Sequence, residues 1–347
     1  MAIKGVVAEI SSRIIRLGFS GQEEPWCSVE IDFPLYDFDA ELSNLRIYEK
    51  LMHIFNVIFP IKPKDYRILI VEKFFCCPKF RNVLMKILLV NIQFQSISFQ
   101  PDILMASLVS IKYDRNALVI DIGHNETRVL VFSHGRPIIK TAKFCGVGVI
   151  NFILSFKSKL ETFLNDQVDD KKASKVFENK FFKDFYNNGN SKSKESIEFP
   201  PDLYKFDDDH LVFEIVECLL DSLHSCHYDY RLLAARNIIF CGGGAIITPL
   251  CDIMCNVASS MCRDLKKYNN SVVSILPNLS DGKFKPAMLP FNRSLLAWIG
   301  GSLFSSIESN NTKYVTVEEY MRENLPGKYD WMSLESDHKF TSMNCPL

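Results

Sequence analysis

Two segments of the chain share one pattern: an apolar strand that carries an acid, a short polar turn, and a second strand with an arginine seven residues after the acid. The acid and the arginine are Glu9 and Arg16 in residues 6–21, and Asp121 and Arg128 in residues 117–135. Two apolar runs on either side of a short polar turn predict a β-hairpin. Because the two hairpins align through the turn without a gap, the pattern indicates a diverged duplication.

A third segment, residues 236–249, places three glycines directly after an apolar strand and before the apolar start of a helix. Successive glycines allow the backbone to approach a flat ligand at a distance where a Cβ atom would clash. Taken alone, Gly242, Gly243 and Gly244 are equally typical of a tight strand-to-helix connection.

The two acid-bearing hairpins and the glycine turn together resemble the superfamily of actin, the sugar kinases and the heat-shock ATPases. In that superfamily the hairpins clasp the phosphates of a nucleotide from opposite domains, and the glycine turn supports the adenosine. Residues 297–303 read Ala-Trp-Ile-Gly-Gly-Ser-Leu. They are similar to a segment of actins that the other two groups lack.

The resemblance to actin-related proteins covers most of residues 1–35, 48–150 and 211–334. It implies an α/β, actin-like fold in which two duplicated ribonuclease-H-like domains surround a nucleotide cleft. The small domain would comprise residues 1–112 plus 296–347, and the large domain residues 113–295.

A polar stretch, residues 160–210, is expected to form an insertion in the large domain that contains a mobile surface loop. The alternative for this insertion is a partner-docking element. A second departure concerns subdomain 2, which in actins grips the next subunit toward the pointed end of a filament. Only residues 31–46 are available for it, so the sequence predicts that subdomain 2 is mostly missing.

Composition bounds the class of protein. Hydrophobic residues make up 47% of the 347 residues and charged residues 23%, which is enough apolar material for a full core and excludes a mainly disordered chain. A net charge of -1 gives no reason to expect nucleic acid or acidic lipid as a partner. The cysteines are scattered through apolar segments, which predicts reduced, buried thiols and no metal site. No run resembles a signal peptide or a membrane span, so a cytosolic or nuclear protein is expected.

The resemblance also assigns candidate nucleotide-binding residues. They are Glu9, Ser11, Ser12, Arg16, Asp121, Gly123, Gly242, Gly243, Gly244 and Arg293. Arg16 matches the actin lysine that touches the phosphates. Arg293 lies beside Ser294, which replaces a lysine that flanks adenine in actin. The resemblance assigns no catalytic residue and no protein metal ligand.

Several departures from actins bear on catalysis. Both glycines of the first phosphate turn are replaced, by Ser11 and Arg13, and the second turn keeps only Asp121 and Gly123. Leu108 stands at the position of the water-orienting glutamine, and a leucine cannot orient water. Arg128 replaces the histidine that helps to align the attacking water. The chain is therefore expected not to hydrolyse ATP.

The sequence leaves open whether the nucleotide cleft is occupied. In one, ATP or ADP with Mg²⁺ is bound as a structural ligand. In the other the cleft is empty, and Arg16 and Arg128 pair with Asp121 and Glu9 across it.

The carboxyl-terminal residues 317–320 and 329–334 resemble the pointed-end actin-related subunits of dynactin. The implied function is to cap the pointed end of a short actin-like filament in dynein-based transport, in the cytoplasm and on the cytoskeleton. The implied partners are the actin-related filament subunits and the other pointed-end dynactin subunits, with no nucleic acid and no membrane insertion. The alternatives are a nuclear actin-related subunit of a chromatin-remodelling complex, and an active cytosolic ATPase or sugar kinase.

Overall fold

A computed structural model describes residues 4–31, 33, 41–109, 116–181, 210–263, 279, 283–307 and 314–323. The chain divides into two compact units, residues 1–102 with 301–347 and residues 103–300. Each unit contains strands and helices, and the α/β class predicted from the sequence is confirmed. In the part of the chain that the structure describes, every helix is too short or too polar to cross a bilayer.

In chain order the elements up to residue 133 are β1 (Lys4–Ile10), β2 (Ile14–Phe19), β3 (Cys27–Glu30), α1 (Glu41–His53), β4 (Tyr66–Glu72), α2 (Pro78–Met85), β5 (Ser96–Pro101), α3 (Asp102–Leu108), β6 (Ala117–Ile122) and β7 (Thr127–Ser133). The later elements are β8 (Arg136–Pro137), β9 (Lys143–Cys145), α4 (Val149–Leu164), α5 (Asp170–Phe181), α6 (His210–Ser225), α7 (Tyr228–Ala235), β10 (Ile238–Cys241), α8 (Thr248–Arg263), α9 (Leu296–Ile307), β11 (Val315–Thr316) and α10 (Val317–Glu323).

The sheet of the first unit has the strand order β11-β5-β4-β1-β2-β3. Its central strands β1 and β4 are parallel and read as nearly continuous apolar runs, as expected for strands that are covered on both faces. The helix α1 and a π-helical turn, Ile54–Ile58, add Ile47, Leu51 and Phe55 to the core of this unit.

The sheet of the second unit has the order β10-β6-β7-β8, with β9 also paired to β7. Every residue of β6 and β7 is buried. In both units, the first strand of the acid-bearing hairpin lies between its antiparallel hairpin partner and a parallel strand from later in the chain: β1 between β2 and β4, and β6 between β7 and β10. This shared arrangement agrees with the duplication that the sequence predicts.

The helix α9 carries the tryptophan and glycines that resemble actins, and tight packing accounts for them. Trp298 is fully buried. A Cβ atom on Gly300 would lie 1.8 Å from the carbonyl oxygen of Met105, so only glycine fits at this position.

The first part of the polar stretch at residues 160–210 is helical. The helix α4 continues to Leu164, and α5 buries Ala173 and Phe177 on one face. The Phe177 ring lies 5.6 Å from that of Phe156 in α4. Two apolar residues four positions apart give a helix a face that can pack, and the surrounding lysines conceal that pattern in the sequence. The rest of the stretch, residues 182–209, lies outside the described residues.

The segment expected to replace subdomain 2 is only partly described. The strand β3 ends at Glu30 and α1 begins at Glu41. Residues 32 and 34–40 lie outside the described residues, as do residues 329–334 of the tail.

The described cysteines are all free thiols. Most of them are buried, whereas Cys27, Cys77 and Cys145 are only half-buried.

Candidate functional site

The first hairpin carries a buried ion pair. Glu9 and Arg16 are directly opposite each other in the register of β1 and β2. Arg16 Nη1 donates to Glu9 Oε1 at 2.8 Å, and the two side chains are only 5% and 10% exposed. Burial raises the pKa of the Glu9 carboxyl above its ordinary value, and the facing guanidinium opposes that rise. The arginine therefore neutralises the acid that the family resemblance predicts to face the phosphates of a nucleotide.

The turn of this hairpin uses its own backbone donors. Ser11 N donates to the Ile14 carbonyl oxygen at 3.0 Å, and the Ser11 hydroxyl donates to the same oxygen at 2.9 Å. Ile14 N in turn lies 3.2 Å from Ser11 Oγ, which accepts from it. Ser12 lies half-buried at the tip of the turn. A phosphate loop needs backbone N–H groups that point at the ligand, and here two of them are used to close the turn.

The second hairpin repeats the ion pair. Asp121 and Arg128 are opposite each other in the register of β6 and β7, and Arg128 Nη2 donates to Asp121 Oδ2. Glu126 approaches the same guanidinium, with Oε1 3.6 Å from Arg128 Nε. Each arginine thus pairs with the acid of its own hairpin, whereas pairing across a cleft stays a prediction. Residues opposite each other on adjacent antiparallel strands are near neighbours, which favours this local partner.

The turn of the second hairpin is covered by the start of α4. Gly123 N donates to the Glu126 carbonyl oxygen at 2.9 Å. The carbonyl oxygens of Gly123 and His124 accept from Val149 N and Ile150 N, each at 3.0 Å. The Gly123 amide and the carbonyl oxygens of Gly123 and His124 are thus bonded within the unit.

The glycine turn follows β10 and lies against the second hairpin. Gly242 has φ 84°, and a Cβ atom there would lie 2.2 Å from Asp121 Oδ1. A Cβ atom on Gly244 would lie 2.3 Å from Ile122 Cγ2, whereas a Cβ atom on Gly243 meets nothing within 4 Å. Two of the three glycines are therefore required by the close approach of the turn to its own hairpin.

Arg293 belongs to a short 3₁₀ turn, Arg293–Leu295, that packs beside the 3₁₀ turn Gly243–Ile246. Its guanidinium lies close to the thiol of Cys251 in α8. Burial raises the pKa of that thiol to about 11, and Arg293 opposes the rise. Ser294 is buried and donates to Asn292 Oδ1 at 3.0 Å through both its backbone nitrogen and its hydroxyl.

The structure groups the candidate residues within each unit. The first unit brings together Glu9, Ser11, Ser12 and Arg16, and the second brings together Asp121, Gly123, the three glycines and Arg293. Leu108 is the half-buried last residue of α3.

A third buried ion pair was not predicted from the sequence. Glu72 ends β4, and Arg81 lies in the first turns of α2. Arg81 Nη2 donates to Glu72 Oε1, and Arg81 Nε donates to Glu72 Oε2 at 3.2 Å. Burial raises the pKa of Glu72, and Arg81 opposes that effect. The sequence carries a signal for this pair: an acid that follows four apolar residues of a buried strand requires a partner, and Arg81 is a nearby cation on the following helix.

Within each unit, the donors of the hairpin fit a Mg²⁺-nucleotide poorly. The carboxylates of Glu9 and Asp121 each face a guanidinium, so a hydrated divalent cation would have to compete with a buried arginine. The amides of Ser11 and Gly123 donate within their turns. Across the described ranges, no three His, Cys, Asp or Glu side chains come close enough together to hold a metal ion.

Comparison with known proteins gives actin-related relatives at low identity. The chain is 23% identical to actin-related protein 10 of Dictyostelium discoideum over 370 aligned positions, which cover 86% of this chain and 76% of that protein. It is 21% identical to putative actin-29 of the same organism, over 59% of this chain and 57% of the relative. It is 24% identical to actin-related protein 4 of Debaryomyces hansenii, over 43% of this chain and 27% of the relative. No family model matches the chain.

Proposed function

Because the chain belongs to the actin-related proteins and has their actin-like fold, we propose that it is a non-catalytic structural subunit that caps the pointed end of a short actin-like filament. The filament would be of the kind found in dynactin, which supports dynein-based transport. The protein would then act in the cytoplasm, associated with the cytoskeleton.

One observation carries the capping role: the shortness of the connection between β3 and α1. The strand ends at Glu30 and the helix begins at Glu41, so residues 31–40 are all that joins them. The sequence left residues 31–46 for subdomain 2, and α1 takes up the last six of them. In actins this region grips the next subunit toward the pointed end. A protomer without it can join a filament by its opposite face, but it offers little for a further subunit to bind.

The absence of ATP hydrolysis is proposed from the hairpins. Phosphoryl transfer depends on positioned water and on electrostatic stabilisation of the transition state. Leu108 has no polar group to orient water, and the guanidinium of Arg128 donates to Asp121. The acids that would order metal-bound water are therefore each neutralised by the arginine of the same hairpin. For the same reason we infer that the fold needs no nucleotide as a structural ligand.

The relatives support the pointed-end role over the alternatives. The similarity to actin-related protein 10 extends over 86% of the chain, whereas the similarity to actin-related protein 4 extends over 43%. A nuclear actin-related subunit of a remodelling complex is thus less favoured. An active ATPase or sugar kinase is opposed by Leu108 and by both hairpin ion pairs.

The test of capping is to locate the protein on filaments. The purified, tagged chain is mixed with filaments of the dynactin actin-related subunit, and its position is read by electron microscopy. We expect one copy at the pointed end and none along the sides. Sedimentation of the chain alone, which should stay in the supernatant, controls for self-assembly.

Three outcomes would contradict the proposal. They are copies along the filament, copies at the barbed end, and filaments formed by the chain itself. Phosphate release is measured in the same preparations, because sustained turnover above a no-protein blank would revive the ATPase alternative. Stable co-purification with a chromatin-remodelling ATPase would favour the nuclear alternative.

A further inference from the structure

Three segments of the second unit lie side by side at the end of its sheet where β6 and β10 begin and β7 ends. They are residues 133–136, residues 226–237, which include the helix α7, and residues 283–288, and we name them together the basic edge. Asn116 joins the first two segments, because its Oδ1 accepts from His134 N at 3.2 Å and its carbonyl oxygen accepts from Asn237 Nδ2 at 2.9 Å. The third segment is joined through Lys285, whose backbone nitrogen donates to the Ala235 carbonyl oxygen at 3.0 Å.

The charge of these segments is one-sided. The basic residues of the three segments are Arg136, Arg231, Arg236, Lys283 and Lys285, and the one acid within these described segments is Asp229. His134 and His227 are exposed on the same segments. The whole chain has a net charge of -1, so this excess of positive charge belongs to the edge and not to the protein.

Part of the edge is rigid. The guanidinium of Arg231 donates to the carbonyl oxygens of His224 and Cys226, at 2.8 and 2.9 Å. These bonds tie the start of α7 to the end of α6. The side chains of Arg136, Arg236 and Lys285 are exposed around this fixed centre. A surface that is already ordered loses little entropy when it binds.

The edge also exposes aromatic and apolar groups beside its charges. The Tyr230 ring lies 5.8 Å from the ring of His134 and 6.1 Å from that of His227. Tyr228 is 61% exposed and Leu233 is 40% exposed. Tyrosine and arginine are among the residue types that contribute most to binding in protein interfaces.

We propose that the basic edge binds an acidic segment of a protein partner, with an apolar side chain of that segment against Tyr228. Charge complementarity selects the acidic residues, and the exposed tyrosine and leucine select a protein over a purely anionic polymer. The net charge of -1 opposes general binding to nucleic acid or to an anionic membrane. The proposal does not depend on which end of a filament the chain occupies.

The experiment uses the full-length protein and a fluorescent peptide of about 15 residues in which glutamates alternate with leucine and phenylalanine, measured by anisotropy. The test variant is the triple substitution Arg136→Glu, Arg236→Glu, Lys285→Glu. The matched control is Lys171→Glu, Lys172→Glu, Lys175→Glu on α5, which makes the same change of charge on exposed residues of the same unit. A third variant, Tyr228→Ser, removes the exposed ring without changing the charge.

We expect saturable binding to the wild type that weakens as NaCl rises from about 50 to about 300 mM. The edge variant should bind at least roughly tenfold more weakly, and Tyr228→Ser about fivefold more weakly, whereas the α5 control should bind within about twofold of the wild type. Circular dichroism spectra of all variants should match that of the wild type.

The proposal is overturned by a lack of saturable peptide binding, by equal weakening in the edge and α5 variants, or by a Tyr228→Ser variant that binds like the wild type. Single-stranded RNA and phosphatidylserine vesicles are titrated in parallel. Tighter binding to either would replace the protein segment with that ligand and would also overturn it.

Discussion

At the scale of single residues, buried charge is the main determinant of the candidate site. The pairs Glu9–Arg16 and Asp121–Arg128 have the same register and nearly the same burial. A buried ion pair adds little net stability, but removal of one partner leaves an uncompensated charge in a medium of low dielectric constant. The two arginines should therefore be far less tolerant of substitution than exposed cations.

The first prediction concerns Arg128→Leu. It leaves the Asp121 carboxylate buried without its main cation and should lower the free energy of unfolding by about 3–5 kcal/mol. Urea unfolding followed by circular dichroism measures the change.

The matched control for this prediction is Lys157→Leu, which breaks an exposed pair with Asp170 whose atoms lie 2.6 Å apart. That variant should unfold at nearly the wild-type urea concentration. The double variant Asp121→Leu, Arg128→Leu should recover part of the loss. Equal effects of Arg128→Leu and Lys157→Leu would show that burial of the pair is unimportant.

The second prediction is a pH dependence. The folded state raises the pKa of Glu9 above its ordinary value of 4.5, chiefly through burial, so the folded protein binds this proton more tightly than the unfolded chain does. The unfolding free energy that Glu9 contributes should therefore increase as the pH falls from neutral through the raised folded-state pKa toward 4.5.

Denaturant unfolding at about pH 7 and about pH 5.5 tests this sign for the wild type and for Glu9→Gln. The stability of the wild type relative to Glu9→Gln should improve at the lower pH. The exposed Glu24→Gln is the control for the loss of a surface carboxylate. A relative stability that falls with falling pH would mean that the ion pair with Arg16 outweighs burial.

At the scale of elements, the strand, turn and helix around residues 238–263 show which glycines matter. The sequence treats Gly242, Gly243 and Gly244 as equivalent. The structure separates them, because only Gly242 combines a positive φ with a close approach to Asp121.

The third prediction follows from that difference. Gly242→Ala should lower the free energy of unfolding by roughly 2–3 kcal/mol, since a Cβ atom is strained at φ 84° and collides with the Asp121 carboxylate. Gly243→Ala should change it by less than about 1 kcal/mol, because the added methyl group meets open space. Thermal unfolding of the two variants gives the comparison. A Gly242→Ala protein as stable as Gly243→Ala would refute the role assigned to the turn.

The hairpins were predictable because strand periodicity and the spacing from acid to arginine are local signals. The register of Glu9 with Arg16 follows directly from a count of seven residues. The pairing within each hairpin was not predicted, because the family resemblance suggested partners on the opposite hairpin and not on the adjacent strand. The helix α5 was missed because two apolar residues, Ala173 and Phe177, carry its packing among charged neighbours. The pair Glu72–Arg81 depends on how α2 turns back on β4, which sequence spacing alone does not fix.

At the scale of the whole molecule, the question is whether a bound nucleotide stabilises the fold when the acid of each hairpin is already paired with an arginine. A ligand that binds only the folded state stabilises it by about 2.7 kcal/mol at 100 times its dissociation constant. A protein that relies on Mg²⁺-ATP should show that increase, and should lose stability when the metal is chelated.

The fourth prediction is that neither effect occurs. The melting temperature of the purified chain should be unchanged by millimolar ATP with Mg²⁺ and by EDTA, and the heat-denatured protein should release no stoichiometric nucleotide. Differential scanning fluorimetry and chromatography of the supernatant provide the two measurements, with skeletal actin as the positive control. A stabilised melting transition with ATP, or one nucleotide released per chain, would show that the hairpins still hold a ligand.

The fold of the whole chain was accessible from sequence because the two hairpins, the glycine turn and the tryptophan-bearing helix α9 are separate signals that agree. The assembly partner is less accessible, because surface charge such as that of the basic edge comes from residues far apart in sequence. Arg136, Arg236 and Lys285 come to one end of the sheet only when β6, β7 and β10 pair.

Both members of each ion pair lie in one hairpin, and this has a consequence for how such a chain can evolve. A duplication that copies one hairpin also copies both members of its charge pair, so the new half never passes through an ancestor with an orphan buried charge. Later substitutions in one hairpin also leave the other pair unaffected. A glutamate in one half and an aspartate in the other each need to fit only the arginine on the adjacent strand. Two halves that each keep a complete ion pair can therefore diverge in sequence independently.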